Sequence, residues 1–570
     1  MNRPWIRQYQ PGVPGTLSYP DISLPELLAQ SAAKFPAQPA LRYYGRVIRY
    51  RELDLLANRF ANLLLRLGAG PGHTVGLMLP NLPQTVIAFY GSLRAGSVVT
   101  PINPLSVEAE IAQQASDAGC DTLVALDQSA QRLEPLLRRG VVRRLILTGV
   151  EEYLPGLKRL LFPLKAVRQT RRVRIPTGPA VLPFLDVLAE ASSPPGVPVK
   201  PHDTALLQYT GGTTGIPKGV VLTHRNLICN VWQCRSWMPS LSEGREVFLA
   251  VLPFFHVYGM SACQNLAISI GGSLALLPRF QIVDVLETLA RERVTVFPGI
   301  PAMYAAINGH QHLDRYNLRA VRICISGAGP LDPTIQERFE SLTGASLVEG
   351  YGLTEAGPVT HINPLQPGEG GRRQRSIGLP IADTDAKIMD ADTGERELPI
   401  GEVGELAVHG PQIMQGYWKQ PEETANVLRN GWLYTGDLAR CDADGYFYIV
   451  DRKKDMIKSG GENVYPREVE ETLCRCPKVK EAVVVGIPRG LRGELIKAFV
   501  VLQDGATATP AEILEYCRKN LARFKVPKRV EFRAELPKTV VGKYLRRVLV
   551  EEELKKHQGQ EGAGDGAGED

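Results

Sequence analysis

The run Tyr209-Thr-Gly-Gly-Thr-Thr-Gly-Ile-Pro-Lys-Gly219 packs four glycines, three threonines and one lysine into eleven residues. That mixture suits the holding of a polyphosphate. Gly211, Gly212 and Gly215 allow tight turns and let bare backbone N–H groups approach an anion. Thr210, Thr213 and Thr214 add hydroxyl donors, and Lys218 adds a mobile positive charge. A Walker phosphate loop requires Ser or Thr directly after its lysine, whereas here Pro217 precedes Lys218 and Gly219 follows it. The loop is therefore of another nucleotide-binding kind. An ordinary surface turn is the competing reading, but turns rarely stack hydroxyls and a lysine so densely.

Such a loop needs rigid elements around it. Thr74–Leu79, Leu123–Leu126, Leu145–Thr148, Val294–Phe297 and Val321–Ile325 read as short strands, with a helix over Pro83–Ala95 and other helices between them. That alternation predicts an α/β fold with parallel sheets. From about Ile381 short strands (386–389, 404–408, 446–450) separated by Asp/Gly turns predict a small β subdomain. After Asp451-Arg-Lys-Lys-Asp455 a unit of about a hundred residues is expected, with helices from Pro466 and near Pro510 and strands at 481–485, 498–501 and near Val530. The expected boundaries are 1–452, 453–553 and a disordered acidic, Gly-rich tail at 554–570.

Size and composition narrow the function classes. At 570 residues the chain exceeds one compact core. Its 44% hydrophobic and 22% charged residues are those of an ordinary globular protein. A net charge of +6 is a mild bias, and without zinc-finger spacing or arginine–aromatic repeats it does not point to nucleic acid. Nine scattered cysteines and the lack of an apolar signal core after Met1 lead to the expectation of a reducing, cytoplasmic setting. Val247 to Leu277 carries no Asp, Glu, Lys or Arg, yet Pro253, His256, Asn265 and Gly271-Gly272 interrupt it. A buried strand, a loop and a packed helix are expected there, not a membrane span.

Five further motifs follow the loop in order: Pro253-Phe-Phe-His-Val-Tyr-Gly259, Ser326-Gly-Ala-Gly-Pro-Leu331, Glu349-Gly-Tyr-Gly-Leu-Thr-Glu355, Tyr434-Thr-Gly-Asp437 and Pro537-Lys-Thr-Val-Val-Gly-Lys543. With Asp451-Arg452, the series resembles the acyl-adenylate-forming superfamily over roughly residues 20 to 553, and most resembles bacterial long-chain fatty acid–CoA ligases. The resemblance implies a large N-terminal domain hinged to a small α+β C-terminal domain. It also implies two steps. A fatty carboxylate attacks the α-phosphate of Mg2+-bound ATP, giving an acyl-adenylate and pyrophosphate; the thiol of CoA then displaces AMP.

The same resemblance assigns roles. Lys543 would bridge carboxylate and α-phosphate, supplying positive charge where two anions meet. Thr210, Thr213, Thr214 and Lys218 would follow the β- and γ-phosphates, with Glu355 and Thr210 at Mg2+. Gly327, Ala328, Gly329 and the strand Glu349, Gly350, Tyr351, Gly352, Leu353, Thr354 would seat adenine and AMP. Asp437 would accept from the ribose hydroxyls, reinforced by Arg452. Lys454 matches the hinge, and Lys458 and Gly461 would flank the CoA pantetheine path. His256, Tyr258, Gly259 and Met260 would wall the acyl pocket; packing is the competing role for His256.

Two features depart from the long-chain pattern. Lys458-Ser-Gly-Gly-Glu-Asn-Val-Tyr-Pro466 replaces a more apolar form, and Tyr258, Gly259 and Met260 stand where some long-chain enzymes carry a tryptophan gate. Medium-chain or aryl acids therefore remain alternatives, as do transfer to a carrier protein and a non-catalytic ATP-binding scaffold. Trp232 and Trp237 are candidates for an apolar tunnel or for core packing. Lys158 to Arg174 holds seven basic residues and no acidic ones among apolar side chains, which would suit peripheral contact with an anionic membrane or a solvated loop. A homodimer is left open.

Overall fold

The computed structural model describes residues 3–156, 178–210, 217–366, 371–459, 462–488, 494–538 and 544–561. The chain divides into two compact units, Met1–Asp385 with Val408–Leu433, and Ala386–Ala407 with Tyr434–Asp570.

The first unit is built on two sheets. Among the described residues, the eight-stranded sheet runs in the order Gly416–Tyr417, Lys218–Thr223, Thr204–Thr210, Val98–Pro101, Thr74–Met78, Cys120–Leu126, Arg144–Thr148, Val181–Pro183. Its strands pair in parallel from Thr204–Thr210 onward, while Lys218–Thr223 and Gly416–Tyr417 add antiparallel at one edge. The nine-stranded sheet is parallel through Ser346–Gly352, Ile323–Ser326, Val296–Gly299, Val247–Ala250, Ser273–Leu276 and Pro39–Tyr43. Val359–Ile362 and Leu379–Pro380 extend it antiparallel beyond Ser346–Gly352. Apart from the edge strand Val181–Pro183, the parallel strands are largely buried on both faces, which is why they read as continuous apolar runs. Phe297, Tyr304, Phe339 and Leu347 centre one core, and Leu123, Leu133, Leu145 and Leu207 the other.

The expected helix over 83–95 forms as Pro83–Arg94, with Pro83 in the first turn where its missing N–H costs nothing. The charge-free stretch contains more than the expected strand, loop and helix. A second strand, Ser273–Leu276, follows the Gly271-Gly272 turn and pairs in parallel with Val247–Ala250. Between them a buried π-helical turn, Met260–Asn265, joins short helices at Val257–Gly259 and Leu266–Ser269. Among the described residues, no helix is long and apolar enough to cross a membrane.

In the second unit, Val479–Pro488 and Glu494–Leu502 pair antiparallel, and Arg529–Phe532 joins the latter in parallel. The helices Pro466–Cys474, Pro510–Asn520 and Arg546–Glu561 accompany them. The last helix corrects the expected tail from 554, because it continues to Glu561. The reason lies on its inner face, where Leu549 is fully buried and Glu553 reaches buried Lys497 at 2.6 Å. Lys497 also pairs with Glu531 at 2.7 Å, and its ammonium lies 4.8 Å from the Phe499 ring centre. These contacts hold the helix beyond the point where composition alone turns polar.

Candidate active site

The glycine-rich run connects two strands rather than a strand and a helix. Thr204–Thr210 and Lys218–Thr223 are antiparallel, with Thr210 opposite Lys218 and Tyr209 opposite Gly219. The residues flanking the loop are thus fixed by a hairpin ladder, unlike the strand–loop–helix of a Walker loop. Gly211, Gly212, Thr213, Thr214 and Gly215 lie outside the described residues, as do Gly461, Lys543 and the basic run 158–174.

Lys218 is mostly buried and forms an ion pair with Glu423. Its ammonium also lies 5.1 Å from the centre of the Tyr417 ring. The Tyr417 hydroxyl donates to Glu355 Oε1 at 2.8 Å. Lys218 and Glu355, far apart in sequence, are therefore linked through one aromatic side chain. Burial, and then the charge of Glu355, keep the Tyr417 hydroxyl protonated far above neutrality. Tyr417 and Glu423 escaped the sequence reasoning. The signal that could have found Tyr417 is the Gly416-Tyr417 pair in the last strand added to this sheet edge, legible only once the pairing is known.

Glu355 stands on the turn Thr354–Ala356 just after the strand Ser346–Gly352. Its backbone carbonyl accepts from Met414 N–H at 2.8 Å. Among the described residues, no three His, Cys, Asp or Glu side chains cluster closely enough to hold a metal. A divalent ion here would depend on Glu355, the Thr210 hydroxyl and phosphate oxygens, and those hard oxygen donors fit the sparse protein coordination of Mg2+.

The loop 326–331 and the strand Ser346–Gly352 lie side by side, Ser326 opposite Glu349. Buried Glu349 accepts from Leu331 N–H at 2.9 Å, so this carboxylate holds the loop's backbone. Ala328 adopts φ +66°, a left-handed conformation that shapes the loop beside two glycines. Tyr351 pairs with His361 across the antiparallel strands, their ring centres 5.9 Å apart in an edge arrangement. Gly350, Gly352, Leu353 and Thr354 continue the same strand and turn.

Tyr258 packs against the loop from below. Its hydroxyl donates to Ile325 O at 2.9 Å, and a Cβ on Gly327 would come within 2.9 Å of its ring. Gly259 is required by its own strand connection, since a Cβ there would sit 2.4 Å from Pro253 O. His256 is half-buried at the start of the Val257–Gly259 helix, its ring 4.7 Å from Phe255. The whole segment is tied to the other sheet by Asn81, which donates to Ala250 O and Leu252 O and accepts from Phe254 N–H, each within 2.9 Å. Met260 and Phe255, together with Leu77, Phe89, Phe254 and Gln264, line a small cavity of about 10 Å³. Trp237 is core packing: it is fully buried, with its indole N–H on Asn363 O at 3.2 Å. Trp232 is half-buried beside Arg235.

In the second unit, Asp437 and Arg452 face each other across antiparallel strands, and Arg452 Nε reaches Asp437 Oδ1 at 2.6 Å. Asp437 is almost fully buried while Arg452 remains 43% exposed, so the pair presents its cationic half to solvent. Lys453 pairs with Glu405 at 2.8 Å, and Glu405 also accepts from Gly436 N–H at 3.0 Å. Lys454 is exposed on the turn that follows. Lys458 is exposed in a two-stranded ribbon, its backbone N–H on Glu494 at 2.8 Å. Lys538 and Tyr544, on either side of the 539–543 segment, form an isolated antiparallel bridge.

Residues 28–418 match the AMP-binding enzyme family, and residues 468–543 match the AMP-binding enzyme C-terminal domain. The chain is 43% identical to a long-chain-fatty-acid–CoA ligase of Bacillus subtilis (strain 168), covering 97% of this chain and 99% of the relative. It is 40% identical to the ligase of the same name from Yersinia pestis, with 97% and 99% covered. Among solved structures, ATP-bound MatB from Rhodopseudomonas palustris superposes with a TM-score of 0.80 at 28% identity, covering 93% of this chain and 99% of that one. Lys218 beside its hairpin loop, Glu355 beyond the adjacent sheet and the matched span agree: the chain belongs to the AMP-binding enzyme family.

Proposed function

We propose that this protein activates a long-chain fatty acid as its acyl-adenylate and transfers the acyl group to CoA, releasing AMP and pyrophosphate. The observation that carries the proposal is the near-full-length likeness to two long-chain-fatty-acid–CoA ligases, in a chain that brings Lys218 and Glu355 to one aromatic side chain. Two anions must meet in the first step, so the site has to neutralise the triphosphate and aim the carboxylate. Lys218 and the 210–215 hydroxyls and amides would hold the β- and γ-phosphates, with Lys218 exchanging Glu423 for phosphate oxygen. Glu355 and Thr210 would hold the Mg2+ that accompanies ATP, and the metal would offset charge on the phosphates.

Tyr351 and the 327–329 backbone would form the adenine wall, framed by Glu349, Gly350, Gly352, Leu353 and Thr354. Asp437 and Arg452 would take the ribose. Lys543 would meet the α-phosphate and carboxylate during adenylation. A turn about Lys454 would withdraw Lys543 and bring Lys458 and Gly461 to the CoA path. The acyl chain would pass His256, Tyr258, Gly259 and Met260, and each CH₂ it buried would add about 0.8 kcal/mol of binding.

The test is AMP release measured with the full chain across saturated acids of increasing length, with and without CoA. Rising kcat/KM toward long chains, dependent on CoA, is expected. A maximum at aryl or medium-chain acids would replace the substrate assignment. CoA-independent turnover would favour a carrier acceptor, and no AMP with any acid would leave only nucleotide binding.

A further inference from the structure

Tyr417 belongs to neither the glycine-rich loop nor the Glu349–Glu355 strand, yet it contacts a residue from each. Its hydroxyl donates to Glu355 Oε1 at 2.8 Å, and its ring faces the Lys218 ammonium at 5.1 Å from the centroid. The backbone on both sides is fastened. Tyr417 pairs with Val220 in the antiparallel ladder, and its N–H donates to Thr424 Oγ1 at 2.9 Å. Trp418 N–H donates to Gly219 O at 2.7 Å. Three residues before Tyr417, Met414 N–H donates to the carbonyl of Glu355 itself. The tyrosine thus rests on the lysine's strand and the glutamate's turn together.

We propose that Tyr417 is a positioning residue that presets the metal-binding carboxylate of Glu355 and the phosphate-binding ammonium of Lys218 as one unit for a Mg2+–nucleoside triphosphate. This rests on the roles given above to Glu355 and Lys218. A carboxylate on a short turn can rotate about its terminal bond, and a donated hydrogen bond to one oxygen removes that freedom. Outer hydrogen bonds of this kind typically change metal affinity by about 10–100-fold when removed. The aromatic face does the complementary task for the lysine. It offers the ammonium a partner that attracts the charge without neutralising it, so Lys218 stays aligned when phosphate displaces Glu423. One side chain therefore serves two functions that chemistry can separate, the hydroxyl acting on the metal and the ring on the lysine.

The experiment uses the full chain with ATP and no acid substrate, so no turnover occurs. ATP binding is followed by calorimetry as Mg2+ is titrated, and separately in EDTA. Tyr417→Phe keeps the ring and loses the hydroxyl: its Mg2+ half-saturation is expected to rise about 10-fold or more, with ATP affinity in EDTA and the thermal midpoint unchanged. Tyr417→Leu loses both groups and is expected also to weaken ATP binding in EDTA by a few-fold, in line with cation–π strengths. Glu355→Gln provides the reference. If Glu355→Gln loses its Mg2+ dependence while Tyr417→Phe titrates like the parent, the positioning role is overturned and the Glu355 assignment survives. If Glu355→Gln also titrates like the parent, the metal assignment and this proposal fall together.

Discussion

At the scale of single residues, the charge inventory carries the chemistry. Lys543 is expected to act only where carboxylate and α-phosphate are joined. Lys543→Ala should therefore lose acyl-adenylate formation by orders of magnitude while retaining most transfer from a supplied acyl-adenylate to CoA. Separate assays of the two half-reactions check this, and equal loss in both would remove the rotating C-terminal domain from the mechanism. Lys218, Glu355, Asp437 and Arg452 were singled out as candidates from the ordered motifs, because phosphates, metals and riboses each demand a particular donor or acceptor. Tyr417 was not, since a tyrosine next to a glycine has many uses. The partner of Glu349 likewise emerged only in three dimensions: its carboxylate accepts from Leu331 N–H, satisfying a buried amide.

At the scale of elements, backbone closeness decides what each motif can do. The segment from Pro253 to Gly259 turns so tightly that a Cβ on Gly259 would meet Pro253 O at 2.4 Å and Leu252 O at 2.7 Å. Both are backbone atoms and neither can swing aside. Gly259→Ala is therefore expected to destabilise the protein by about 1–3 kcal/mol and to displace His256 and Met260. A denaturant midpoint lowered in step with raised KM for the acid would match; an unchanged midpoint would show that the turn relaxes freely. The strands Thr74–Met78 and Cys120–Leu126 and the helix Pro83–Arg94 were readable from their apolar runs and their proline punctuation. The strand Ser273–Leu276 was hidden by sharing one charge-free stretch with the strand before it, because burial on both faces erases the alternation that would separate them. The helix to Glu561 was obscured by a polar composition whose ion pairs with Lys497 and Glu531 become visible only in three dimensions.

At the scale of the whole molecule, folding buries groups that solvent would charge. His224 is buried at the start of a helix, where its Nδ1 accepts from Leu24 N–H at 3.3 Å, and burial pushes its pKa down to about 4. Burial likewise lowers His361 to about 3. Both groups are therefore neutral when folded and take a proton on unfolding below about pH 6.5. Stability is full above that value and falls with pH by about 1.4 kcal/mol per unit for each histidine, until about pH 4 for His224 and about pH 3 for His361. The thermal midpoint should drop steadily from pH 7 to pH 5, and His224→Gln should flatten that slope by about half. A midpoint independent of pH over this range would contradict the burial of both rings. By itself the sequence determined the α/β class, the ordered motifs and the kinds of group available for adenylation, because local propensity and chemical type are properties of neighbours along the chain. Only the tertiary structure decided that the loop joins a hairpin, that Tyr417 spans Lys218 and Glu355, that Glu349 holds Leu331 N–H, and that Trp237 serves packing. Those outcomes depend on which distant backbones come within hydrogen-bonding reach, and that is fixed by the burial of the sheets as a whole.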